Sequence, residues 1–507
     1  MAAKALLNAV CWRLFGCVTL TFGRSYSRSG IKEKFFFSLY SARLFVTLHP
    51  QIKYILLFLN MARVIKLRKG LDINLKGKAA KETVSTSCPG EYALVPDDFC
   101  GLKPKVVVKE GDAVKVGDAL FVDKLHPEVK FVSPVSGTVS LVERGDRRKL
   151  MSIRVQSDGK QEARQFDVKG DVKSLLLESG LFGFFRQRPY DVVANPEDAP
   201  KAIFVSAFNS MPLSQDFEYV LAGQENDFQA GITALSKLAK VYLGISAKQS
   251  NSALTAAKDC EVTVFDGPAP AGNVGVQINH VSPINKGEVV WTLGAEEVIF
   301  VGRLMKNGTV DFTRTIALAG SEVKEPKYYK MLVGQKLTTL LDGNLLPVKE
   351  AEGAVRIING NVMTGIKTTA DGFLAAHATE VNVIPEGDHA DEMLGWIMPR
   401  FNTFSTHRSY FSWLFGKKKE YVLDARIKGG ERHMIMSGEY DKVFPMDIYA
   451  GYLVKAIIAG DIDRQEALGI YEVAPEDFAI AEFVDSSKLE LQRIVREGLD
   501  ILRKENA

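Results

Sequence analysis

Between residues 101 and 156 the sequence breaks into short apolar segments separated by turns, a pattern that leaves little choice of secondary structure. The segments VVV, ALFV, VKFV, TVSLV and SIRV alternate with KEGD, VGD, SPVSG and ERGD. Glycine, aspartate, serine and proline favour turns, each for its own conformational reason. Turns at such short and regular intervals predict a small all-β sandwich or barrel.

The central hairpin of this region, residues 117–139, resembles the hairpin that carries biotin or lipoate in carrier domains of the barrel-sandwich hybrid type. Those carriers present a lysine at the hairpin tip. Here the tip reads KLHPEV, with His126 and Pro127 at the attachment position, and Lys124 and Lys130 displaced onto the arms. We therefore expect a biotinyl/lipoyl-like scaffold with no covalently bound cofactor. A free biotin or lipoyl carrier is the alternative, and the missing tip lysine argues against it.

A chain of 507 residues is too long for one hydrophobic core, and domains of roughly 100 to 150 residues imply about three to five of them. The resulting α/β multidomain prediction comprises an N-terminal extension (1–60), a barrel-sandwich hybrid domain with an N-terminal strand (61–164), a Rossmann-like α/β domain (165–310), an SLBB-type β-grasp domain (311–388) and an aromatic-rich and helical C-terminal domain (389–507).

The first 60 residues differ in charge from the rest of the chain. They contain eight lysines and arginines against one acid, Glu33, so the remainder carries a net charge of −4. We interpret this segment as a non-native or disordered extension that precedes the true start at Met61; a targeting peptide is the alternative. The mildly acidic main body argues against nucleic acid as a partner, since phosphate contacts require a basic surface.

Residues 165–310 alternate apolar runs such as AIFVSAF and EEVIFVG with helical periodicity, which is typical of a partly parallel α/β sheet. Neither glycine-rich candidate loop, ESGLFGFFRQRP or FDGPAPAGNVG, matches a dinucleotide or P-loop motif. Bulky side chains of Phe182, Phe184 and Phe185 would obstruct close approach of a pyrophosphate to the backbone. A flavin-dependent NADH dehydrogenase that works alone is therefore the less favoured alternative.

The C-terminal third combines a β-grasp pattern with helices. A short helix carrying Leu337, Leu340 and Leu341 is predicted within 311–388, which resembles soluble-ligand-binding β-grasp domains. Further on, Asp447 is predicted to cap one helix, Pro475 to lie in the first turn of another, and Ser486 or Ser487 to start the last one. The aromatic and lysine-rich stretch 396–419 is a candidate contact with a membrane or membrane subunit.

Five cysteines, with no CxxC and no histidine at zinc-ligand spacing, argue against iron–sulfur and structural zinc sites in this chain. They also suit a reducing compartment better than a disulfide framework. No apolar run reaches the roughly 18 residues that a membrane-spanning helix requires.

Three long motifs, ESGLFGFFRQRP, FDGPAPAGNVGVQINHVSPINKGEVVWTLGAEEVIFVGRL and GERHMIMSGEYDKVFPMDI, occur in this order. With KGLDI at residues 69–73, they resemble the A subunits of the sodium-translocating NADH:quinone reductases, which are bacterial respiratory pumps. The resemblance implies a translocase component that takes part in electron transfer from NADH to a quinone such as ubiquinone. It also implies that this chain does not catalyse the reaction alone.

The resemblance implies a location and partners as well. The chain would lie peripherally on the cytoplasmic side of the bacterial inner membrane, together with five other subunits, B to F. Those subunits would hold NADH, FAD, FMN, riboflavin and the 2Fe-2S centre, whereas this chain would contribute to binding the substrate quinone and would hold no metal.

A quinone requires hydrogen-bond donors, aromatic faces and an apolar channel. ESGLFGFFRQRPY interleaves aromatic and cationic residues, and DDFCGL at 97–102 is a second candidate segment. We predict that the quinone contacts come from these segments, specifically from Asp98, Phe99, Gly101, Leu102, Phe182, Phe184, Phe185, Arg186 and Arg188. The alternative is that the phenylalanines only pack in the core and the arginines are surface charges.

Overall fold

The computed structural model describes residues 63–86, 90–347, 354–388, 403–406, 408, 410–414, 419–435 and 438–506. Residues 1–62, and with them the predicted extension and the start at Met61, lie outside this range, as does most of 396–419. The strands are β1 (Arg63–Lys66), β2 (Ala80–Ser85), β3 (Glu91–Leu94), β4 (Pro104–Val106), β5 (Ala113–Val114), β6 (Ala119–Asp123), β7 (Lys130–Val132), β8 (Gly137–Arg144), β9 (Leu150–Ser157), β10 (Arg186–Arg188), β11 (Val192–Val193), β12 (Ala202–Ser206), β13 (Val241–Ser246), β14 (Glu261–Asp266), β15 (Val290–Gly294), β16 (Thr313–Ala319), β17 (Lys327–Leu332), β18 (Val355–Asn359), β19 (Ile366–Thr368) and β20 (Glu380–Pro385).

The helices are fewer and cluster in the α/β and C-terminal regions. They are α1 (Val172–Glu178), α2 (Phe217–Leu221), α3 (Glu225–Leu235), α4 (Ser252–Thr255), α5 (Val274–Val281), α6 (Ala295–Asn307), α7 (Thr338–Leu341), α8 (Tyr440–Val443), α9 (Ala450–Ala459), α10 (Ile462–Ala467), α11 (Ala479–Val484) and α12 (Leu491–Glu505). Short 3₁₀ helices include Pro96–Asp98, Leu181–Phe184 and Pro475–Phe478.

The turn-rich region forms two small antiparallel sheets, as its turn spacing predicts. One has the strand order β3-β9-β8-β5 and the other β4-β6-β7. Buried side chains of Leu120, Phe121, Phe131 and Ile153 contribute to the apolar core of this region. At the tip of the β6–β7 hairpin, the Val129 N–H donates to the His126 carbonyl oxygen at 2.9 Å, which closes the turn around Pro127.

The next region contains a seven-stranded sheet in the order β1-β14-β13-β12-β15-β10-β11. Strands β1, β14, β13, β12 and β15 are mutually parallel, and β10 and β11 extend the sheet in antiparallel fashion. The sequence prediction places the N-terminal strand β1 in the same domain as the β-sandwich. In the structure, β1 instead pairs with β14 of the α/β sheet along Arg63–Lys66. From β12 the chain adds β13 and β14 on one side and then returns to add β15 on the other. The strand order therefore reverses between β12 and β15.

Helices α3 and α6 pack unusually closely because glycines face the partner helix. A Cβ atom at Gly231 of α3 would lie 2.1 Å from the Val298 carbonyl oxygen of α6. A Cβ at Gly302 of α6 would lie 1.7 Å from the Asp227 carbonyl oxygen of α3. Both distances are far inside van der Waals contact, so this interface excludes any side chain at the two positions.

The third region is a six-stranded mixed sheet in the order β19-β18-β20-β16-β17-β2. Strand β2 comes from far upstream in the sequence and pairs in parallel with β17. The predicted short helix is present as α7, and Leu337, Leu340 and Leu341 are buried against the sheet. The segment between β18 and β19 contacts the C-terminal region, where Gln492 Nε2 donates to the Met363 carbonyl oxygen at 3.1 Å.

The C-terminal region is helical, with two predicted helix starts misplaced. Helix α9 begins at Ala450 with Tyr449 as its N-cap, so the prediction of an Asp447 cap is wrong; the Asp447 N–H donates to Asn279 Oδ1 instead. Helix α12 begins at Leu491, not at Ser486 or Ser487, because the Ser487 N–H donates to Asp485 Oδ1 in a preceding turn. Pro475 does occupy the first turn of its 3₁₀ helix, as predicted.

Among the described residues, no helix combines the length and apolarity needed to cross a lipid bilayer. The proposed membrane contact at 396–419 falls mostly on residues that lie outside the described range.

Candidate functional site

A cavity of about 500 Å³ lies at the carboxyl ends of β12 and β15, where the strand order of the α/β sheet reverses. In open α/β sheets, ligands bind in the crevice at such a switch point. Four regions of the chain meet there: the 97–100 segment of the sandwich, the α/β sheet, the loops around β18 to β20, and the 475–476 segment of the C-terminal region. The site is thus assembled from residues that are distant in sequence.

The structure brings four of the nine predicted site residues to the wall of this cavity: Asp98, Phe184, Arg186 and Arg188. Phe99 lies directly behind them, with its ring centroid 5.8 Å from Phe184 and 5.5 Å from His377. The two segments that the sequence selected independently, 97–102 and 182–188, therefore converge on one place.

The other four predicted residues lie elsewhere. Phe182 and Phe185 are fully buried and stack on each other at 5.4 Å, with Trp291 edge-on to both, so they pack in the core. Gly101 has a positive φ of 79° and its carbonyl oxygen accepts a hydrogen bond from Arg503 in α12. Leu102 packs at the edge of the sandwich core. None of these four residues lines the cavity.

The two arginines of β10 have different environments. Arg188 is 1% exposed and pairs with three acids, Asp191 at 3.8 Å, Glu476 at 2.9 Å and Asp477 at 3.4 Å. The alternative interpretation of Arg188 as a surface charge is therefore wrong. The Arg186 side chain is about one-third exposed; its ion pair with Asp191 is long, at 3.6 Å, and it donates no hydrogen bond within the described residues. Arg186 is the guanidinium whose donors are available to a ligand.

Burial and ion pairing have opposite effects on the pKa values of the acids in this cluster. Burial raises the pKa of Glu476 to about 7 and raises that of Asp477, although Arg188 opposes both shifts. Burial also disfavours the Asp191 carboxylate, but Arg186, Arg188 and Arg496 outweigh it, so the pKa of Asp191 is lowered. Asp191 therefore holds the negative charge that neutralises the arginines.

A second charged cluster lies at the start of α6, and its Glu296, Glu297 and His377 also line the cavity. Arg314 is fully buried and donates to Glu297 Oε1 at 2.6 Å and to the Ala378 carbonyl oxygen at 2.9 Å. Its Nε lies 3.5 Å from Glu296 Oε2. His377 Nδ1 lies 3.8 Å from Glu297 Oε1, and burial lowers the pKa of His377 despite this carboxylate.

The two adjacent glutamates of this cluster differ in protonation. Burial raises the pKa of Glu296 to about 7, with Arg314 opposing the shift and Glu297 adding to it. For Glu297, burial acts in the same direction, but Arg314 and His377 outweigh it and lower the pKa to about 2. Burial also raises the pKa of Asp98 to about 6, against the hydrogen bond that it accepts from the Ala376 N–H at 2.8 Å.

The helix N-termini at this crevice are covered by the protein's own carboxylates. A Cβ atom at Gly294, the N-cap of α6, would lie 2.0 Å from Glu297 Oε2. A Cβ at Gly275, in the first turn of α5, would lie 2.3 Å from Asp477 Oδ2. Helix N-termini of this kind are the usual phosphate sites of nucleotide-binding folds. With carboxylates already placed there, the crevice disfavours a pyrophosphate and suits an uncharged ligand.

Sequence reasoning missed Glu296, Glu297, Arg314 and His377. The pair of adjacent acids in the otherwise apolar AEEVIFVG was the one local signal, because charged residues inside a buried helix require partners. Arg314 and His377 carry no such signal. In the described part of the chain, no three histidine, cysteine, aspartate or glutamate side chains converge as metal ligands.

Fold and cavity together define a class: a multidomain α/β protein with a β-sandwich, whose switch-point crevice has carboxylates at its helix N-termini. Family models match in the same order along the chain, the "NqrA N-terminal barrel-sandwich hybrid domain" at residues 65–158, the "NqrA second alpha/beta domain" at 168–310 and the "NQRA C-terminal domain" at 315–370.

Curated relatives identify the family. The A subunit of the Na(+)-translocating NADH-quinone reductase of Yersinia pestis bv. Antiqua (strain Angola) is 35% identical over 456 residues, which cover 87% of this chain and 100% of the relative. The protein of the same name from Haemophilus influenzae (strain PittEE) is 35% identical over 454 residues, with the same coverage. The chain belongs to the family of the A subunits of the Na(+)-translocating NADH-quinone reductases.

Among solved structures, a chain of an NAD+-reducing [NiFe]-hydrogenase in the air-oxidized state aligns with 37% of this chain and 41% of its own length, at 17% identity and a TM-score of 0.28. This likeness is too distant to support an argument about fold or function.

Proposed function

We propose that this chain is the extrinsic subunit of a membrane complex that transfers electrons from NADH to quinone and exports sodium ions, and that its switch-point cavity binds the quinone headgroup. Family membership supports the assignment to such a complex. The five partner subunits B to F would hold NADH, the flavins and the 2Fe-2S centre. This chain would lie on the cytoplasmic side of the membrane and would not catalyse the reaction alone.

The observation that carries the quinone proposal is the chemistry of the cavity wall. Carboxylates cover the two helix N-termini where a nucleotide phosphate would bind, whereas Arg186 retains free donors and Phe184 offers an aromatic surface. A quinone headgroup is flat, uncharged and accepts hydrogen bonds at two carbonyl oxygens. It matches this combination better than a flavin nucleotide does, because a flavin nucleotide brings phosphate charge into an acid-rich crevice.

Arg186 would also act during reduction. Electron transfer to a quinone places negative charge on its oxygens, and a cationic donor already in position stabilises that charge. Arg188 cannot substitute for it, because its guanidinium is already bound to Glu476 and Asp477. Arg186 thus has the binding role and Arg188 a positioning role, since it holds Asp191 and the 475–477 segment at the edge of the cavity.

Replacing Arg186 with alanine is expected to weaken quinone binding by about tenfold or more, because a hydrogen bond from a charged donor contributes roughly 1.5–3 kcal/mol. Equilibrium dialysis with a short-chain quinone measures the affinity. Arg186→Lys should retain part of it. The control is Arg164→Ala, which removes an arginine of similar exposure that does not line the cavity. Equal affinities of the Arg186→Ala variant and the wild type would remove Arg186 from the site.

Cys100 provides a test without substitution, because it lines the cavity and Cys260 does not. Burial raises the pKa of both thiols, so alkylation with N-ethylmaleimide is followed at pH 8 by peptide mass spectrometry. Bound quinone is expected to slow alkylation of Cys100 several-fold and to leave Cys260 unchanged. An alcohol with the same apolar tail should protect neither. Unprotected Cys100 at saturating quinone would contradict a headgroup in this cavity.

A further inference from the structure

Helix α9, with the sequence AGYLVKAIIA, is apolar on all sides except for Lys455. One face is covered inside the C-terminal region, where Ala450, Leu453, Val454 and Ile457 are buried. The opposite face is open: Tyr452 is 61% exposed and Ile458 is 55% exposed, and the N-cap Tyr449 is 70% exposed. A helix that is apolar all round is normally buried all round.

Helix α12 of the same region shows what a solvent-facing helix looks like in this protein. Its buried face carries Leu491, Val495, Leu499 and Leu502. Its outer face carries Arg493 and Glu497, joined by an ion pair one turn apart, and the exposed Asp500. Helix α12 is therefore suited to water on one side, and α9 is not. The contrast indicates that the open face of α9 is covered in the assembled protein.

A groove of about 900 Å³ runs beside this open face, between α9 and the 431–434 segment. Ala456, Ala459, Leu468 and Leu489 contribute apolar surface to it, and Tyr452 forms part of its wall. A smaller cavity of about 40 Å³ lies on the other side of the same tyrosine, bordered by Ile435 and Tyr449. Contiguous exposed apolar surface of this kind marks an interaction site.

The charges along the groove favour a partner with carboxylates. Arg432 and Lys455 line it, and neither side chain has an acidic partner within the described residues. Arg464 pairs with Asp461 at 3.2 Å, and Glu431 is the other acid of the groove. Arg432 and Lys455 thus remain available in a groove that also carries Glu431 and the Arg464–Asp461 pair. Charge complementarity across an interface contributes to the choice of partner.

We propose that this groove docks a polypeptide segment of another subunit of the reductase, an apolar stretch that carries carboxylates opposite Arg432 and Lys455. The inference rests on the proposed function, since it requires the other subunits. A polypeptide fits better than a bilayer because the surface is concave, and a flat membrane surface cannot reach the base of a groove. An amphipathic helix in a groove is a common mode of peptide recognition.

Photocross-linking in the intact complex tests the proposal. A benzophenone amino acid replaces Tyr452 in the full-length chain, coexpressed with the other subunits, and Val107, which is 50% exposed on the sandwich, is the control position. We expect the Tyr452 position to cross-link to an acidic apolar segment of one other subunit, identified by mass spectrometry, and the Val107 position to give no such product. A product with lipid, with a second copy or within the same chain, or no product, would overturn the docking proposal.

Charge reversal in the groove provides a second test of the docking proposal. The double variant R432E/K455E is expected to lower recovery of the partner subunit about tenfold at moderate salt, while the control K105E/K169E, at two exposed lysines, leaves it unchanged. Unchanged recovery in both variants would also overturn the proposal. If the tagged wild-type chain purifies with no other subunit, the proposed function itself fails, whereas an intact complex without the cross-link refutes the docking site alone.

Discussion

Replacing Arg188 with methionine is expected to destabilise the protein by about 3–5 kcal/mol at pH 8, the range found when one partner of a buried ion pair is removed. Methionine fills most of the volume but leaves Asp477, which is fully buried, without its cation. This loss of stability relative to the wild type should become smaller as the pH falls toward 5. Burial already raises the pKa of Glu476 to about 7 and raises that of Asp477, so protonation relieves the unpaired charge at lower pH.

Urea unfolding at pH 5 and pH 8 measures this effect, and Arg186→Met is the matched control on the same strand. Arg186 is about one-third exposed and forms only a long ion pair, so its removal is expected to change the free energy of unfolding by about 1 kcal/mol or less. If both variants lost the same stability, or if the loss in Arg188→Met did not depend on pH, the buried cluster would not hold the fold as described.

The sequence predicts the parts of this fold that depend on local patterns. Turn spacing indicated the sandwich, and alternation of apolar runs with helical periodicity indicated the parallel sheet. The short helix with Leu337, Leu340 and Leu341 followed from spacing alone. Helix starts were less predictable: the Asp447 N–H donates to Asn279 Oδ1 and the Ser487 N–H donates to Asp485 Oδ1, and neither residue begins a helix. The first of these hydrogen bonds is a tertiary contact and the second closes a local turn.

The residues that line the cavity were only partly predictable for a similar reason. Arg188 and Asp477 are 289 residues apart in sequence, and no local pattern reveals that they meet. An arginine is rarely fully buried unless it has acidic partners. Because the partners of Arg188 are distant in sequence, the sequence alone could not show that Arg188 is buried and Arg186 is partly exposed. The adjacent phenylalanines also have different environments: Phe184 lines the cavity, whereas Phe185 packs against Trp291. Residues of the segment do reach the cavity, but which side chains face it depends on the sheet that the segment joins.

Both buried charge clusters flank the cavity and tie separate regions to it. Arg188 connects β10 with the 475–477 segment, and Arg314 connects β16 with the start of α6. The cavity therefore depends on ion pairs between residues that meet only where these regions pack together. Such pairs contribute less to net stability than apolar burial does, but breaking one partner is costly.

The adjacent glutamates of α6 should respond to the same substitution in opposite ways, and Glu297→Gln is the destabilising one. The pKa of Glu297 is about 2 in the folded protein and lies below its ordinary value of 4.5, so its ionised form stabilises the fold above about pH 4.5, and this contribution is lost as the pH falls toward 2. Glu297→Gln removes the carboxylate that binds Arg314 at 2.6 Å, and we expect a loss of about 3–5 kcal/mol at pH 7.

Glu296→Gln should instead remove a pH-dependent destabilisation. Because the folded-state pKa of Glu296 is about 7 against an ordinary 4.5, the folded protein binds more protons than the unfolded chain between these values, and its stability falls as the pH rises. At about 1.4 kcal/mol per pKa unit, the wild type should lose about 3 kcal/mol between pH 5 and pH 8 through this residue. Urea unfolding across that range should show a flatter profile for Glu296→Gln than for the wild type, and parallel profiles would mean that Glu296 is ionised throughout.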